Sequence, residues 1–178
     1  MFKRSKERKI NRLPGYDYSS PGHYFITICT QNMIPFFGTI TNGKMKLNGM
    51  GKVVEQCWFK LLTHFKHLSL NEFIVMPNHV HGILTIETTI CNQYNVVDTL
   101  LYPLHKNTRT QMLIPKAIHG FKSCVTRNIR NQFLPSSFAW QRSYYDHIIR
   151  NEKSLGAIQR YIKSNPKNWQ KEKAIQKL

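Results

Sequence analysis

Residues 73–84 read Phe-Ile-Val-Met-Pro-Asn-His-Val-His-Gly-Ile-Leu. This is an apolar run suited to a buried strand, and it carries two histidines, His79 and His81. Side chains alternate across a strand, so both imidazoles fall on one face. A buried strand has little reason to hold two imidazoles side by side unless something binds them. For one histidine, a hydrogen-bonded core residue would be the plainer reading. Two on one face, beside Pro77 and Asn78, favour a site for a metal ion or a phosphate. His-x-His alone is a weak pattern, shared by zinc enzymes, histidine-triad hydrolases and metal-dependent nucleases. The triad hydrolases need a third alternating histidine, and position 83 is Ile83.

The surrounding pattern predicts an α+β chain. Residues 24–30 are β-branched and aromatic, a first strand. Asn42-Gly43 sits between two short β-like runs in residues 36–47, a hairpin signal. From residue 49 the period becomes helical: Val53, Val54, Cys57, Trp58, Leu61 and Phe65 predict a helix over 49–66. Residues 72–86 read as a strand or a bent strand pair, with Pro77 at a bulge or edge. Ile114, Ile118, Phe121, Val125 and Ile129 form a second helical stripe, with Pro115 in its first turn. Lys116, Lys122, Arg127 and Arg130 lie off that stripe and give the helix a basic outer side. Residues 138–145 suggest another strand. A third helix spans 151–164, with Leu155, Ile158 and Ile162 as its core stripe, and Pro166 stops it. Helices are expected to cover one face of a mainly antiparallel sheet, as in an α+β sandwich.

The chain has 178 residues, which favours one domain over 1–178. Residues 1–13 form a basic arm, 87–111 a loop without clear period, and 167–178 a basic tail. Lys and Arg total 26 against 9 Asp and Glu, a formal net charge of +17. Such an excess suits a phosphate-rich partner, and nucleic acid is weighted above a membrane surface. No stretch approaches the ~18 apolar residues of a membrane helix. The basic N-terminus lacks the apolar core of a signal peptide. Cys29, Cys57, Cys91 and Cys124 form no Cys-x-x-Cys pair. They read as buried thiols of a reducing, cytoplasmic compartment, and a cysteine zinc site is disfavoured.

Two further segments are candidates. Tyr161 and Asn165 are four apart on the last helix and share a side. Asn165 precedes Pro166, which places it at the helix end with its amide free to reach outward. Spacing alone favours a plainer reading, an aromatic beside the core stripe and an ordinary helix-ending Asn-Pro. In residues 140–147, Trp-Gln-Arg-Ser-Tyr-Tyr-Asp-His, aromatics interleave with Arg142, with Arg150 and Lys153 just beyond. Such mixtures stack bases and contact phosphates. A strand with inward-packed aromatics explains the segment equally well.

Taken in order, Leu13-Pro-Gly-Tyr-Asp-Tyr18, Gly22-His-Tyr-Phe-Ile-Thr-Ile-Cys-Thr-Gln-Asn32, Met76-Pro-Asn-His-Val-His-Gly82, Phe121-Lys-Ser-Cys-Val-Thr-Arg127, Trp140-Gln-Arg-Ser-Tyr-Tyr-Asp-His-Ile-Ile-Arg-Asn151 and Tyr161-Ile-Lys-Ser-Asn-Pro166 resemble the REP-associated tyrosine transposases. These are single-domain members of the HUH single-tyrosine superfamily. The resemblance runs through most of the chain and is weakest over residues 86–111. It implies a ferredoxin-like sandwich, with His79 and His81 as metal ligands and Tyr161 as nucleophile. It implies that Asn165 completes the metal site, where an amide oxygen is a weaker ligand than a carboxylate. The implied ion is Mg²⁺ or Mn²⁺, and the implied partner is single-stranded or hairpin DNA. The implied activity is DNA cleavage and strand transfer through a 5′-phosphotyrosine, by a monomer or homodimer. Lys122, Arg127, Arg130, Trp140, Arg142, Arg150, Lys163 and Lys167 are the expected DNA contacts. Two rivals remain: a non-catalytic nucleic-acid-binding protein, and a metal-dependent phosphodiesterase that uses water.

Overall fold

A computed structural model describes residues 13–87, 112–134 and 137–175, with side chains as far as Trp169. The expectations for residues 1–12, for most of 87–111 with Cys91, and for 176–178 lie outside the described residues. β1 (Gly22–Cys29) leads through a short 3-10 turn to the hairpin of β2 (Gly38–Thr41) and β3 (Lys44–Leu47). α1 (Gly49–Phe59) and the single turn α2 (Leu61–His64) follow, then β4 (Leu68–Met76) and β5 (His79–Ile86). α3 (Leu113–Gln132), β6 (Tyr145–Ile149) and α4 (Glu152–Ile175) complete the described order. The four-stranded sheet runs β4-β5-β1-β6, with every neighbouring pair antiparallel. Strand, helix, strand, strand, helix, strand in this spatial order is the ferredoxin-like arrangement.

The predicted elements form for the predicted reasons, with four differences. The Asn-Gly hairpin is present, and Asn42 (φ 52) and Gly43 (φ 68) both take the left-handed conformation that a tight hairpin turn needs. The helix expected over 49–66 breaks at Lys60 into α1 and α2. Its N-terminus is capped by the Asn48 side chain, which accepts from Gly51 N at 2.9 Å. The strand pair expected over 72–86 begins earlier, at Leu68. It turns at Pro77-Asn78 and carries an irregularity between Leu70 and Phe73.

The strand expected over 138–145 lies instead at Tyr145–Ile149. The aromatics of residues 138–144 serve packing rather than the sheet: Phe138 and Tyr144 are buried and Trp140 is half-buried. Phe138 and Trp140 pack with Phe37, and only a single bridge joins Trp140 to Thr30. Pro166 does not stop the last helix, which continues to Ile175. An interior proline forfeits one backbone hydrogen bond and crowds the preceding turn, at ~3 kcal/mol. Here Pro166 is buried on a helix whose Leu155, Ile158 and Ile162 pack against the sheet, and that burial offsets the cost.

The sheet has two apolar faces. Tyr24, Ile26, Ile28, Val80 and Leu84 join Val54, Cys57 and Trp58 of α1 and Ile118, Phe121, Val125 and Ile129 of α3 in the main core. On the opposite face Ile83, Ile149 and Phe25 pack with Leu155, Ile158 and Ile162 of α4. The expected α+β sandwich is therefore present, with α1 and α3 covering one face. α4 adds cover to the second face, where both histidines emerge.

Candidate active site

His79 and His81 lie on β5, opposite Cys29 and Thr27 of β1. They are 8% and 5% exposed, yet each imidazole is held by a polar neighbour. His79 Nδ1 is 2.8 Å from Asn78 Oδ1, and His81 Nδ1 is 2.8 Å from Thr27 Oγ1. The two remaining nitrogens converge, with Nε2 to Nε2 3.1 Å. Two donors bound cis to one ion at ~2.1 Å would stand ~3 Å apart. The separation and the anchored far nitrogens therefore suit one divalent cation. Burial lowers the pKa of His79 from 6.5 to about 4. Burial, with the neighbouring His79 adding to it, lowers His81 to about 3. Both rings are neutral at pH 7, which is the ligating form.

α4 brings the tyrosine. Tyr161 Oη stands 3.4 Å from His81 Nε2, although 80 positions separate them in the chain. Its ring meets Phe25 edge-on at 6.2 Å and His81 at 5.4 Å. Tyr161 is 42% exposed, so its side chain is part of the surface beside the histidines. Two turns further along, Trp169 packs on His79 with ring centroids 5.7 Å apart. Asn165 lies midway on the same helical ridge, between a residue on His81 and a residue on His79. It is 3% exposed. The expectation that it reaches outward from a helix end is corrected, because the helix does not end there. Among the described residues, no group of three or more His, Cys, Asp or Glu side chains could hold a metal ion. The two histidines converge on one point, and the buried Asn165 is the amide side chain on the helical ridge between Tyr161 and Trp169, which contact them.

The basic residues divide between two sides. Lys122, Arg127, Arg130, Trp140 and Arg142 line a groove of ≈ 1290 Å³ between α3 and residues 139–144, across the sheet from the histidines. Lys122 Nζ donates to the carbonyls of Gln141 (2.7 Å) and Arg142 (3.3 Å), so it shapes the groove wall. Trp140 contacts Phe37, Phe121 and Phe138, which favours the inward-packed reading of its segment. Arg150 lines a smaller cavity with Tyr18 and Asp146. Lys163 pairs with Glu72 at 2.7 Å, and Lys167 runs beside Gly43 in the β2–β3 turn. Cys29 and Cys57 are buried free thiols, and Cys124 is half-buried, 2.8 Å from Cys57.

No family model matches the chain. An uncharacterised protein of Haemophilus influenzae is 39% identical over 165 residues, spanning 93% of this chain and 91% of its own. The chain belongs to that protein's family. A solved structure of a REP-associated tyrosine transposase bound to a REP hairpin aligns at TM-score 0.54. The alignment covers 88% of this chain and 73% of the transposase, with 16% identity, so the likeness is one of fold. A second structure, a candidate transposase from Deinococcus radiodurans, aligns at TM-score 0.48 with 18% identity, over 86% of this chain and 96% of that one.

The structure brings together the histidine pair and the tyrosine that the sequence singled out, with Asn78 beside them, and adds Thr27 and Trp169, which the sequence did not single out. Trp169 was detectable as the next step of the i, i+4 ridge from Tyr161. Thr27 was not, because its role depends on strand register. No helix among the described residues is long and apolar enough to cross a membrane.

The lowered histidine pKa values predict a pH dependence of stability. In the unfolded chain both groups titrate near 6.5, so between about pH 6.5 and pH 3 the unfolded state binds more protons. Stability is fully present above about 6.5 and falls as pH drops through 4 and 3, by on the order of a few kcal/mol. Metal-free urea melts across this range should show the loss. The double variant His79→Gln, His81→Gln should show a shallower slope.

Proposed function

We propose that the chain is a metal-dependent single-stranded DNA endonuclease and strand transferase of the tyrosine transposase kind. The observation that carries this reading is the placement of the Tyr161 hydroxyl 3.4 Å from the nitrogen at which the two histidines converge. Neither binding nor water-based hydrolysis needs a tyrosine there. His79, His81 and Asn165 would hold Mg²⁺ or Mn²⁺, which supplies charge neutralisation at the scissile phosphate. Tyr161 Oη attacks phosphorus in line. The new bond is Oη–P, the broken bond is P–O3′, and the leaving oxygen takes a proton to become a 3′-OH. A 5′-phosphotyrosine remains, and a 3′-OH can reverse the step, which makes rejoining possible.

The tyrosine proton goes to solvent water rather than to His81. A phenol titrates near ~10, whereas His81 is held at about 3. A base so weak gives no useful driving force, so His81 acts as a ligand. Lys163 and Lys167 are exposed on a neighbouring side of the same helix and would give a DNA backbone an electrostatic, salt-sensitive contact. The α3 groove, with Arg127, Arg130 and Arg142, offers further phosphate contacts across the sheet. The transposase of the same fold was solved with a REP hairpin, which makes a hairpin the first substrate to try.

The test mixes the protein with an end-labelled hairpin oligonucleotide and Mg²⁺ or Mn²⁺, then denatures the mixture. A covalent protein–DNA band is expected, and His79→Ala should lose it while still binding the DNA. Cleavage without any covalent species would sink the proposal in favour of a water-using phosphodiesterase. Binding without cleavage, across a panel of hairpins and both metals, would point to a non-catalytic DNA-binding protein.

A further inference from the structure

His79 and His81 look equivalent in sequence, but different kinds of partner hold them. Asn78 Nδ2 donates to the Met33 carbonyl at 2.9 Å. A carbonyl only accepts, so the amide nitrogen must face Met33 and the amide oxygen must face His79. That oxygen also only accepts. His79 Nδ1, 2.8 Å away, must therefore carry the hydrogen, and His79 Nε2 presents its lone pair.

The surroundings over-determine this arrangement. Asn32 and Met33 both have φ 55, a left-handed conformation that asparagine tolerates but methionine seldom adopts. This turn aims the Met33 carbonyl at Asn78. The Asn78 main-chain carbonyl is fixed as well, accepting from Thr30 N and from Thr30 Oγ1, each at 2.9 Å. Thr30 is fully buried and Asn78 nearly so.

His81 is held differently. Its Nδ1 lies 2.8 Å from the Thr27 hydroxyl, which can donate or accept. Since His79 Nε2 is a lone pair, the 3.1 Å contact between the two Nε2 atoms is a hydrogen bond only if His81 Nε2 carries a hydrogen. With the shorter 3.1 Å contact as the hydrogen bond, rather than the 3.4 Å approach of Tyr161 Oη to the same nitrogen, the hydrogens of the metal-free site run one way. Thr27 donates to His81, His81 to His79, His79 to Asn78, and Asn78 to the Met33 carbonyl.

We infer that Asn78 is a positioning residue that locks His79 in its Nδ1–H tautomer, while Thr27 lets His81 change tautomer when a cation arrives. The second half rests on the metal reading above. For His81 to offer a lone pair at Nε2, that nitrogen gives its hydrogen to solvent and Nδ1 takes one back. The ring stays neutral, and the Thr27 hydroxyl turns from donor to acceptor.

The test is imidazole ¹⁵N NMR of the metal-free protein near neutral pH, with Zn²⁺ as a diamagnetic probe. Wild type should show His79 as Nδ1–H and His81 as Nε2–H. Zn²⁺ should convert His81 to Nδ1–H and leave His79 in its tautomer. Asn78→Leu should release His79 from a single tautomer and weaken Zn²⁺ binding about 10–100-fold. Asn78→Asp, which keeps an acceptor, should retain His79 as Nδ1–H. Thr27→Val should leave the His79 tautomer unchanged. A wild-type His79 carrying its hydrogen on Nε2 overturns the lock, whatever the variants do. Zn²⁺ leaving His81 as Nε2–H overturns the switch. The measurement uses no DNA, so its outcome is separate from that of the adduct assay. Reversed tautomers with a covalent adduct refute this inference alone. The expected tautomers without an adduct refute the transferase reading alone.

Discussion

Tyr161→Phe is expected to abolish the covalent protein–DNA band while leaving DNA binding close to wild type. The variant keeps the ring that packs edge-on against Phe25 and against His81, so α4 retains its seat on the sheet. Only the hydroxyl is lost, from a position 42% exposed to solvent. Removing a nucleophile that acts with its partners as one unit costs orders of magnitude, here at least about 10³-fold in the rate of adduct formation. A denaturing gel with labelled hairpin DNA reads the adduct, and a mobility shift on the same samples reads binding. Should the adduct persist, the structure ranks the alternatives. Tyr144 is buried. Tyr145 pairs with Thr27, shares the histidine face and is 55% exposed. Persistence of the band in Tyr161→Phe and its loss in Tyr145→Phe would move the nucleophile to β6.

Gly82→Ala is expected to be the most damaging single-methyl change on β5. A β-carbon at Gly82 would stand 2.3 Å from Trp58 Cζ2 and 2.6 Å from Cη2. The indole is fully buried, stacks on Phe73 at 4.5 Å and meets Phe121 edge-on at 5.3 Å. It has no open direction in which to retreat. Overpacking of this kind costs about 1–3 kcal/mol, sometimes more, or several degrees in Tm for a chain of this size. The damage should extend beyond stability, because Gly82 lies between His81 and Ile83 and pushing β5 off the core moves the imidazole. Thermal melts and Zn²⁺ titration measure the two effects. Trp58→Leu in the Gly82→Ala background should recover part of the lost stability, since the two sites are in contact and their effects should not add. A neutral Gly82→Ala would mean that the indole repacks freely, against this account.

Much of this was readable from the sequence because it is local. The period of 3.6 marked the apolar stripes of α1, α3 and α4, alternation put His79 and His81 on one face, and Asn42-Gly43 marked the hairpin. The misreadings arose where distant contacts decide. Pro166 carries a helix-stop signal, but burial of its helix against the sheet outweighs it, and that burial is invisible in the chain around it. Phe138 and Trp140 carry a strand composition, yet Phe37, about a hundred positions earlier, is what they pack against. Thr27 reaches His81 only because β1 and β5 pair in one register out of several that the pattern allows. The basic residues show the same limit. Sequence gives their charge, while Glu72 beside Lys163 and the carbonyls around Lys122 emerge only from the fold.

The seat of α4 has a consequence for how the molecule comes apart. α1 and α3 share one large core with the sheet, but the helix bearing Tyr161 rests on a separate, small cluster of Ile83, Ile149, Leu155 and Ile162. Units with few apolar contacts open at lower free energy than the global transition. The tyrosine therefore stands on a detachable arm, and its partner histidines stand on the frame. Amides of α4 should exchange with solvent well before those of β5, so that Tyr161 and Asn165 can leave the histidine pair together without the sheet unfolding.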